Sequence, residues 1–243
     1  MILVHIKGSG SDDGLDDLIR GYTARRPDER KEIEVVGEHK FGEVLRKYER
    51  CLEMNAEYKL EDPAKAYDYI KENVKEVLTP ADINAFLQAT IIYEDNKWYS
   101  RRTGEFISQL IQNSYEAGYN NFILNTTKSI IYLGLELKGC PERRISVYID
   151  GDTGIFCGEK ASYSSFIING NMDGGGCTLA NNSAFTINGT IVQNLFGHNA
   201  TSCIFKTSNK ETLGKLIDYA GIDSKNKYYF IHPDGTEELM RMF

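Results

Sequence analysis

Residues 166–190, "FIINGNMDGGGCTLANNSAFTINGT", say nearly the same thing twice. Phe166-Ile167-Ile168 is closed by Asn169-Gly170, and nineteen residues later Phe185-Thr186-Ile187 is closed by Asn188-Gly189. The echo extends in both directions. Val147, Phe166, Phe185 and Ile204 are nineteen residues apart, as are Ile149, Ile168, Ile187 and Lys206. The next columns read Asp150, Asn169, Asn188, Thr207 and then Gly151, Gly170, Gly189, Ser208. An earlier copy, Phe122–Thr126, joins the series if six extra residues precede Val147, and the turn-like "KGCPERR" (138–144) is where they belong.

A fixed period near twenty residues is too short for a helix pair and suits a solenoid, in which stacked repeats share one core. Alternation along a strand sends Val147/Ile149, Phe166/Ile168 and Phe185/Ile187 to one side, so these are the expected interior stacks. The Asp150/Asn169/Asn188 column is expected to form a side-chain ladder between coils ~4.8 Å apart. The Gly that follows is expected to turn the chain with a positive φ. Lys206 is expected to polarise the last layer, and a helix over "NKETLGKLIDYAG" (209–221) to cap it. Asn209 is its N-cap, Thr212, Leu213, Leu216 and Tyr219 its buried stripe, and Gly221 lies beyond its end. The tail "KYYFIHPDGTEELM" reads as a strand, a Pro-Asp-Gly turn and one more helical turn.

"YLGLELKG" (132–139) and "ISVYIDGDTGIFCGEKASYSSFIINGN" (145–171) place a Gly-x-x-apolar spacer before an alternating strand closed by Gly. Gly134 and Gly158 begin two spacers, and Gly151, Gly170 and Gly189 close three strands. In this, residues 120–210 resemble the right-handed β-helix, or GXGXG, domain at the carboxy terminus of the glutamate synthase large subunit, found also in a formylmethanofuran dehydrogenase subunit. The resemblance implies a spacer or docking element, not a site of chemistry. The chain departs from that pattern where Cys177 and Phe196 take the spacer Gly position and where Lys206 and Ser208 alter the last coil.

The first half has another rhythm. Phe41, Val44, Leu45, Tyr48 and Leu52 form one helical stripe, and Tyr67, Ile70, Val74 and Val77 a second over residues 63–78, opened by Pro63. "TPADINAFLQATIIY" starts a third helix, with Thr79 as N-cap and Pro80 at its first position. "TGEFISQLIQNSYEAG" (103–118) is a fourth, with Phe106, Leu110 and Tyr115 inside and Gly118 at its end. Ahead of them, "MILVHIK" and "EIEVVGE" read as strands flanking a helical "DDGLDDLIRGY". "KGSGSDDG" lacks the Lys-Ser/Thr ending of a phosphate loop, and its carboxylates suit a helix start instead.

The 35 acidic and 28 basic residues give a formal charge of −7, which opposes nucleic-acid binding. "KWYSRR" (97–102) alternates aromatics with cations as a base-stacking surface would, but is read as a solvated loop before the fourth helix. Apolar runs fall short of the ~20 residues of a membrane span. Five cysteines in no C-x-x-C pair, behind no apolar leader, point to a reducing, cytoplasmic setting.

Cys157, Cys177 and His198 lie in successive spacers and are the candidate metal ligands. Counted back from their strands they fall in different columns, so no metal and no cofactor is expected. Asp150, Asn169, Asn188 and Asp152 offer oxygens for Ca²⁺, but only two are carboxylates. His5, His39 and His232 stand in no nucleophile motif, so no catalytic residue is assigned.

The expected fold is α+β: a mainly helical region (1–119) packed on a short single-stranded right-handed β-helix of 19-residue coils (120–243), with a C-terminal capping helix and strand. The expected function is a non-catalytic assembly or docking protein, a subunit-like partner of a redox or amidotransferase-type complex, that binds a protein partner or its own copy. The alternative is a small enzyme or ligand-binding protein with its site between the two halves.

Overall fold

The computed structural model describes residues 5–7, 34–36, 41–57, 63–192, 196–218 and 225–242. The chain is α+β and divides into two compact units, Met1–Arg46 and Lys47–Phe243. In the first, β1 (His5–Lys7) and β2 (Glu34–Val36) pair in parallel, with His5 opposite Glu34 and Lys7 opposite Val36. The helical and glycine-rich readings of residues 8–22, and His39, lie outside the described residues.

Helix α1 (Gly42–Glu57) crosses from one unit into the other. Val44, Tyr48, Cys51 and Leu52 are its buried stripe, while Leu45 is half-buried. Tyr48 meets the rings of Phe86, Tyr93 and Phe106 edge-on at 5.4–5.8 Å, and its hydroxyl bonds to Thr103 Oγ1 at 2.7 Å. Helix α2 (Pro63–Asn73) stops short of the expected residue 78. The backbone from Val74 to Leu78 finds partners elsewhere. Asn113 Nδ2 donates to the carbonyls of Val74 and Glu76 at 3.0 and 3.1 Å, and Ser114 Oγ bonds both N–H and C=O of Leu78. Val77, expected inside, is therefore 52% exposed. Helix α3 (Pro80–Ala89) begins as its sequence predicts, with the Thr79 side chain accepting from the Asp82 N–H, and runs on into a 3₁₀ turn, Thr90–Tyr93.

Helix α4 (Tyr99–Glu116) starts four residues before Thr103, so only Lys97 and Trp98 of "KWYSRR" stay in the turn ahead of it and the other four residues are helical. Asn96 Oδ1 receives the Trp98 N–H and sets the entry turn. Tyr99 and Arg102 are buried; Arg102 bonds to the equally buried Glu105, and Arg101 Nε donates to the other Glu105 oxygen at 2.9 Å. A positive φ at Gly118 turns the chain after this helix.

A seven-stranded sheet follows, in sequence order: β3 (Asn121–Asn125), β4 (Ile145–Asp150), β5 (Ser164–Ile168), β6 (Ala184–Ile187), β7 (Ile204–Thr207), β8 (Lys227–Ile231) and β9 (Glu237–Met242). All neighbours are parallel except β8 and β9, so the sheet is mixed and is not a uniform stack of coils. The tail forms a hairpin where a helical turn was expected: Asp234 Oδ1 accepts the Thr236 N–H, Gly235 supplies the positive φ, and Glu237–Met242 folds back on β8.

Register bears out the inner columns. Phe122, Val147, Phe166 and Phe185 lie opposite one another, as do Leu124, Ile149, Ile168 and Ile187, and all are buried. The last step differs from the expectation. Phe185 pairs with Phe205 and Ile187 with Thr207, a step of twenty residues, so Ile204 and Lys206 turn outward instead of filling the last layer. The same shift makes Gly197, not Phe196, the successor of Gly158 and Cys177, with φ near +60° at all three. Inside, Phe166, Phe185, Phe205 and Tyr228 stack with centroids 5.0–5.6 Å apart and planes within 18°. Two further lines of parallel bridges, Ile130/Thr153/Met172/Ile191 and Lys138/Ser162/Asn181/Thr201, keep other parts of each repeat in register.

Gly170 and Gly189 do not carry the positive φ expected of them. A Cβ on either would stand 2.2 Å from the carbonyl oxygen of the glycine one repeat earlier, so their column is glycine because the backbones touch.

Both ends of the repeat region receive side-chain partners. Asn84 accepts the Asn125 N–H and Gln88 donates to the Asn125 carbonyl, so α3 satisfies the end of β3 on its outer edge. Along α4, Ser100 accepts the Ile131 N–H, Ser108 accepts those of Gly134 and Leu135, and Gln112 that of Lys138. That helix lies so close that a Cβ on Gly104 would meet the Ile131 oxygen at 1.9 Å. At the far end, Asn209 caps α5 (Lys210–Asp218), Thr212 and Lys215 bond to the 189–191 backbone, and Asn226 takes the Cys203 N–H. Thr212, Leu213 and Leu216 are buried as expected; Tyr219 and Gly221 lie outside the described residues.

Candidate functional site

Each strand between β3 and β9 must send alternate side chains away from the core. The middle residues therefore form one row across seven strands: Ile123, Tyr148, Ile167, Thr186, Lys206, Tyr229 and Leu239, each directly opposite the next. Ile123 is 60% exposed, Leu239 49%, Ile167 39% and Tyr148 37%. Lys206 is held by both carboxylate oxygens of Glu237 at 2.7 Å. The row thus combines four exposed apolar side chains with one internally paired cation. The row was present in the sequence as the centre of each apolar triplet, but its outward direction came only from the alternation.

Beside it, the expected Asp/Asn ladder exists in its first rung: Asn169 Nδ2 donates to Asp150 Oδ1 at 3.0 Å. A second ladder, one turn on, escaped the sequence reading. Asp152 Oδ1 accepts the Asn171 N–H, and Asn171 Oδ1 accepts both the N–H and the hydroxyl of Thr190. These oxygens face neighbouring amides, and among the described residues no three His, Cys, Asp or Glu side chains converge as a metal site.

Of the candidate ligands, Cys157 and Cys177 are fully buried in adjacent repeats while His198 is exposed, so the structure does not bring the three together. Burial pushes the Cys157 thiol up to about 12 and Cys203 to about 11. Burial raises Cys177 well above the usual thiol range as well, and the neighbouring Cys157 and Cys203 push it the same way. Thiols raised this way are inert packing groups. His232 sits on the β8–β9 hairpin with Nε2 2.9 Å from Glu238. His5 lies in β1.

Where α2 and α4 meet the first repeats there is a denser polar cluster. Glu136 accepts from Lys71 at 2.7 Å and from Lys160 at 3.4 Å. Burial alone would raise its carboxyl, but the two ammonium groups hold it below the usual range. Glu159, close by, is raised by burial, and Glu136 adds to this against the pull of Lys160 and Arg101. Arg101 lies 4.9 Å from the Tyr132 ring centre, and Tyr132 stacks on Phe156 at 5.0 Å. The two arginines of "KWYSRR" are thus engaged within the fold, while Lys97 is exposed. Near the start of α4, a small depression lined by Leu87, Ile91, Tyr99 and residues 125–128 has room on the order of one water molecule. No helix among the described residues is long and apolar enough to cross a membrane.

Compared with protein-family models, with curated proteins and with solved structures, the chain gave no match.

Proposed function

We propose that the protein is a non-catalytic docking module, in which residues 121–207 wind as a right-handed β-helix and present the outer sheet face to a protein partner. Three in-register lines of parallel pairing and the internal ring stack support the winding. Right-handed crossovers are the rule between parallel strands. The resemblance to the GXGXG domain points the same way, towards a spacer or docking role.

The observation that carries the proposal is the outward row from Ile123 to Leu239, in which Ile123, Tyr148, Ile167 and Leu239 are exposed, Thr186, Lys206 and Tyr229 are half-buried, and all seven are aligned by strand pairing. A photo-crosslinking amino acid placed at position 123 or 167 and expressed in the native cell tests it. Discrete adducts should form at these positions and not at Leu179, an exposed apolar residue in a turn. Equal labelling at 179, or none at 123 and 167, would remove the support for a docking face. A second reading, a ligand site in the cluster around Glu136 and Glu159, draws on the raised carboxyl of Glu159. It would be favoured if a metabolite raised the melting temperature of the parent but not of Glu159→Gln.

A further inference from the structure

We infer that the occupant of the outer face is a second copy of this chain, related by a two-fold axis that runs parallel to the strands and passes over Thr186. The inference rests on the docking reading above and adds the partner.

Read across the sheet, the row is Ile123, Tyr148, Ile167, Thr186, Lys206, Tyr229, Leu239, and its chemistry is close to a palindrome. A two-fold axis along the strands lays β3 over the partner's β9, β4 over its β8, β5 over its β7, and β6 over itself. Ile123 then meets Leu239, Tyr148 meets Tyr229, the stem of Lys206 covers Ile167, and Thr186 faces its own copy, as an isologous contact requires.

The flanking columns fit the same axis. Two residues further along each strand, Asp150 faces Ile231, Asn169 faces Ser208 and Asn188 faces itself. Two residues earlier, Ser146 faces Lys227 and Ser165 faces Ile204. No carboxylate opposes a carboxylate and no cation a cation. The other two-fold axis available to stacked sheets, across the strands, sets Lys206 against Lys206 and is disfavoured. Aligned sheets cross at about 30°, so the match is closest at Thr186 and looser at the two edges.

Size sets the expected strength. Seven strands ~4.8 Å apart and about five residues at ~3.3 Å each give a footprint of roughly 29 by 17 Å. Two such faces bury on the order of 1,000 Å², the lower limit for a specific contact, so the dimer is weak and concentration-dependent.

Sedimentation of the full chain from about 1 to 300 µM should show a reversible monomer–dimer equilibrium. Ile167→Lys would set an ammonium against Lys206 of the other copy and raise Kd at least tenfold, whereas Ile167→Glu, which offers that Lys a carboxylate, should dimerise more tightly than Ile167→Lys. Position 167 lies on the outer face and is exposed in the monomer, so unchanged melting of either variant confirms that folding is intact. With a short bis-maleimide, Thr186→Cys should link to itself, while Ile123→Cys should link to Leu239→Cys and not to itself. A monomer at every concentration, or a dimer indifferent to Ile167→Lys, overturns the inference. If in that case position 167 still crosslinks to a different protein in the cell, the docking reading stands and only the identity of the partner is wrong. If it crosslinks to nothing, both fall.

Discussion

Replacing Phe185 by Ala should remove the middle plate of the internal stack. Phe185 is fully buried, and its ring lies 5.0 Å from Phe166 and 5.6 Å from Phe205, within 15° of parallel to both. Gly158 packs against the ring edge so closely that a Cβ there would lie 2.6 Å from it. The backbone on either side is fixed by parallel pairing to β5 and β7, so the void cannot close by local collapse. Truncation of a buried Phe costs about 3–5 kcal/mol, and the loss of two ring contacts places this site at the upper end. Against a total stability of about 5–15 kcal/mol this is a large fraction. In a unit of this size, where each kcal/mol moves the melting temperature by about 2–4 °C, the drop should be roughly 8–20 °C. Urea denaturation followed by circular dichroism measures it directly, with Thr186→Ala as the control one residue away on the outward face. That control should stay within about 0.5 kcal/mol of the parent. A Phe185→Ala variant within 1 kcal/mol of the parent, or a Thr186→Ala variant that loses more, would show that the inside and outside of the repeat have been exchanged.

Gly170→Ala drives a methyl to 2.2 Å from the Gly151 oxygen and should cost at least the ~1–3 kcal/mol of an overpacked core, read as a lower urea midpoint, although φ at Gly170 is ordinary. Glu159 is raised in the folded protein, so its ionisation opposes folding: the penalty is absent below the unfolded carboxylate range and grows as pH rises through the folded value. Glu159→Gln should therefore melt higher than the parent at pH 7 and level with it near pH 3; a constant difference across that range would contradict the assignment. Glu136, depressed by Lys71 and Lys160, has the opposite sign, with stabilisation present above the usual carboxylate range and lost as pH falls through the folded value. Lys71→Met should shrink the acid-side loss of stability in a pH series of melts. Purified protein should carry no stoichiometric metal by elemental analysis, and chelator should leave the melting temperature unchanged, because a bound ion would contribute about 4 kcal/mol at a thousandfold excess over Kd.

The central strands were readable because three things coincide there: apolar alternation, a constant interval and a glycine where backbones touch. At β7 the signals separate. "CIFKT" has adjacent apolar residues at Ile204 and Phe205, and a strict nineteen-residue count selects the first, whereas the backbone pairing selects the second. The end of α2 was illegible for a different reason, since the bonds that take over from the helix come from Asn113 and Ser114, about forty residues away. Glu237–Met242 carries good helix formers, and only the hairpin turn and the free edge of β8 make it a strand. The candidate face was half-visible: its residues stand in the sequence, but their exposure depends on which side of the sheet the core occupies. Cys157, Cys177 and His198 lie in successive spacers but in different columns of the repeat, and the fold separates two buried thiols from a surface imidazole.

The twenty-residue step bears on how such a chain tolerates length changes. Met172 pairs with Ile191 at nineteen residues, yet Cys177 is already followed by Gly197 at twenty, so the added residue enters between Val192 and Gly197. Past that point β7 still presents Phe205 and Thr207 inward. Layers are matched by hydrogen bonds across the stack, not by counting along the chain. Single insertions at the corner should therefore be nearly silent, whereas one inserted between Ala184 and Ile187 would flip every later side chain of that strand to the wrong side. An insertion scan from 183 to 205 should accordingly return a comb of forbidden strands and permissive connections, a map of which residues the strand pairing holds in register.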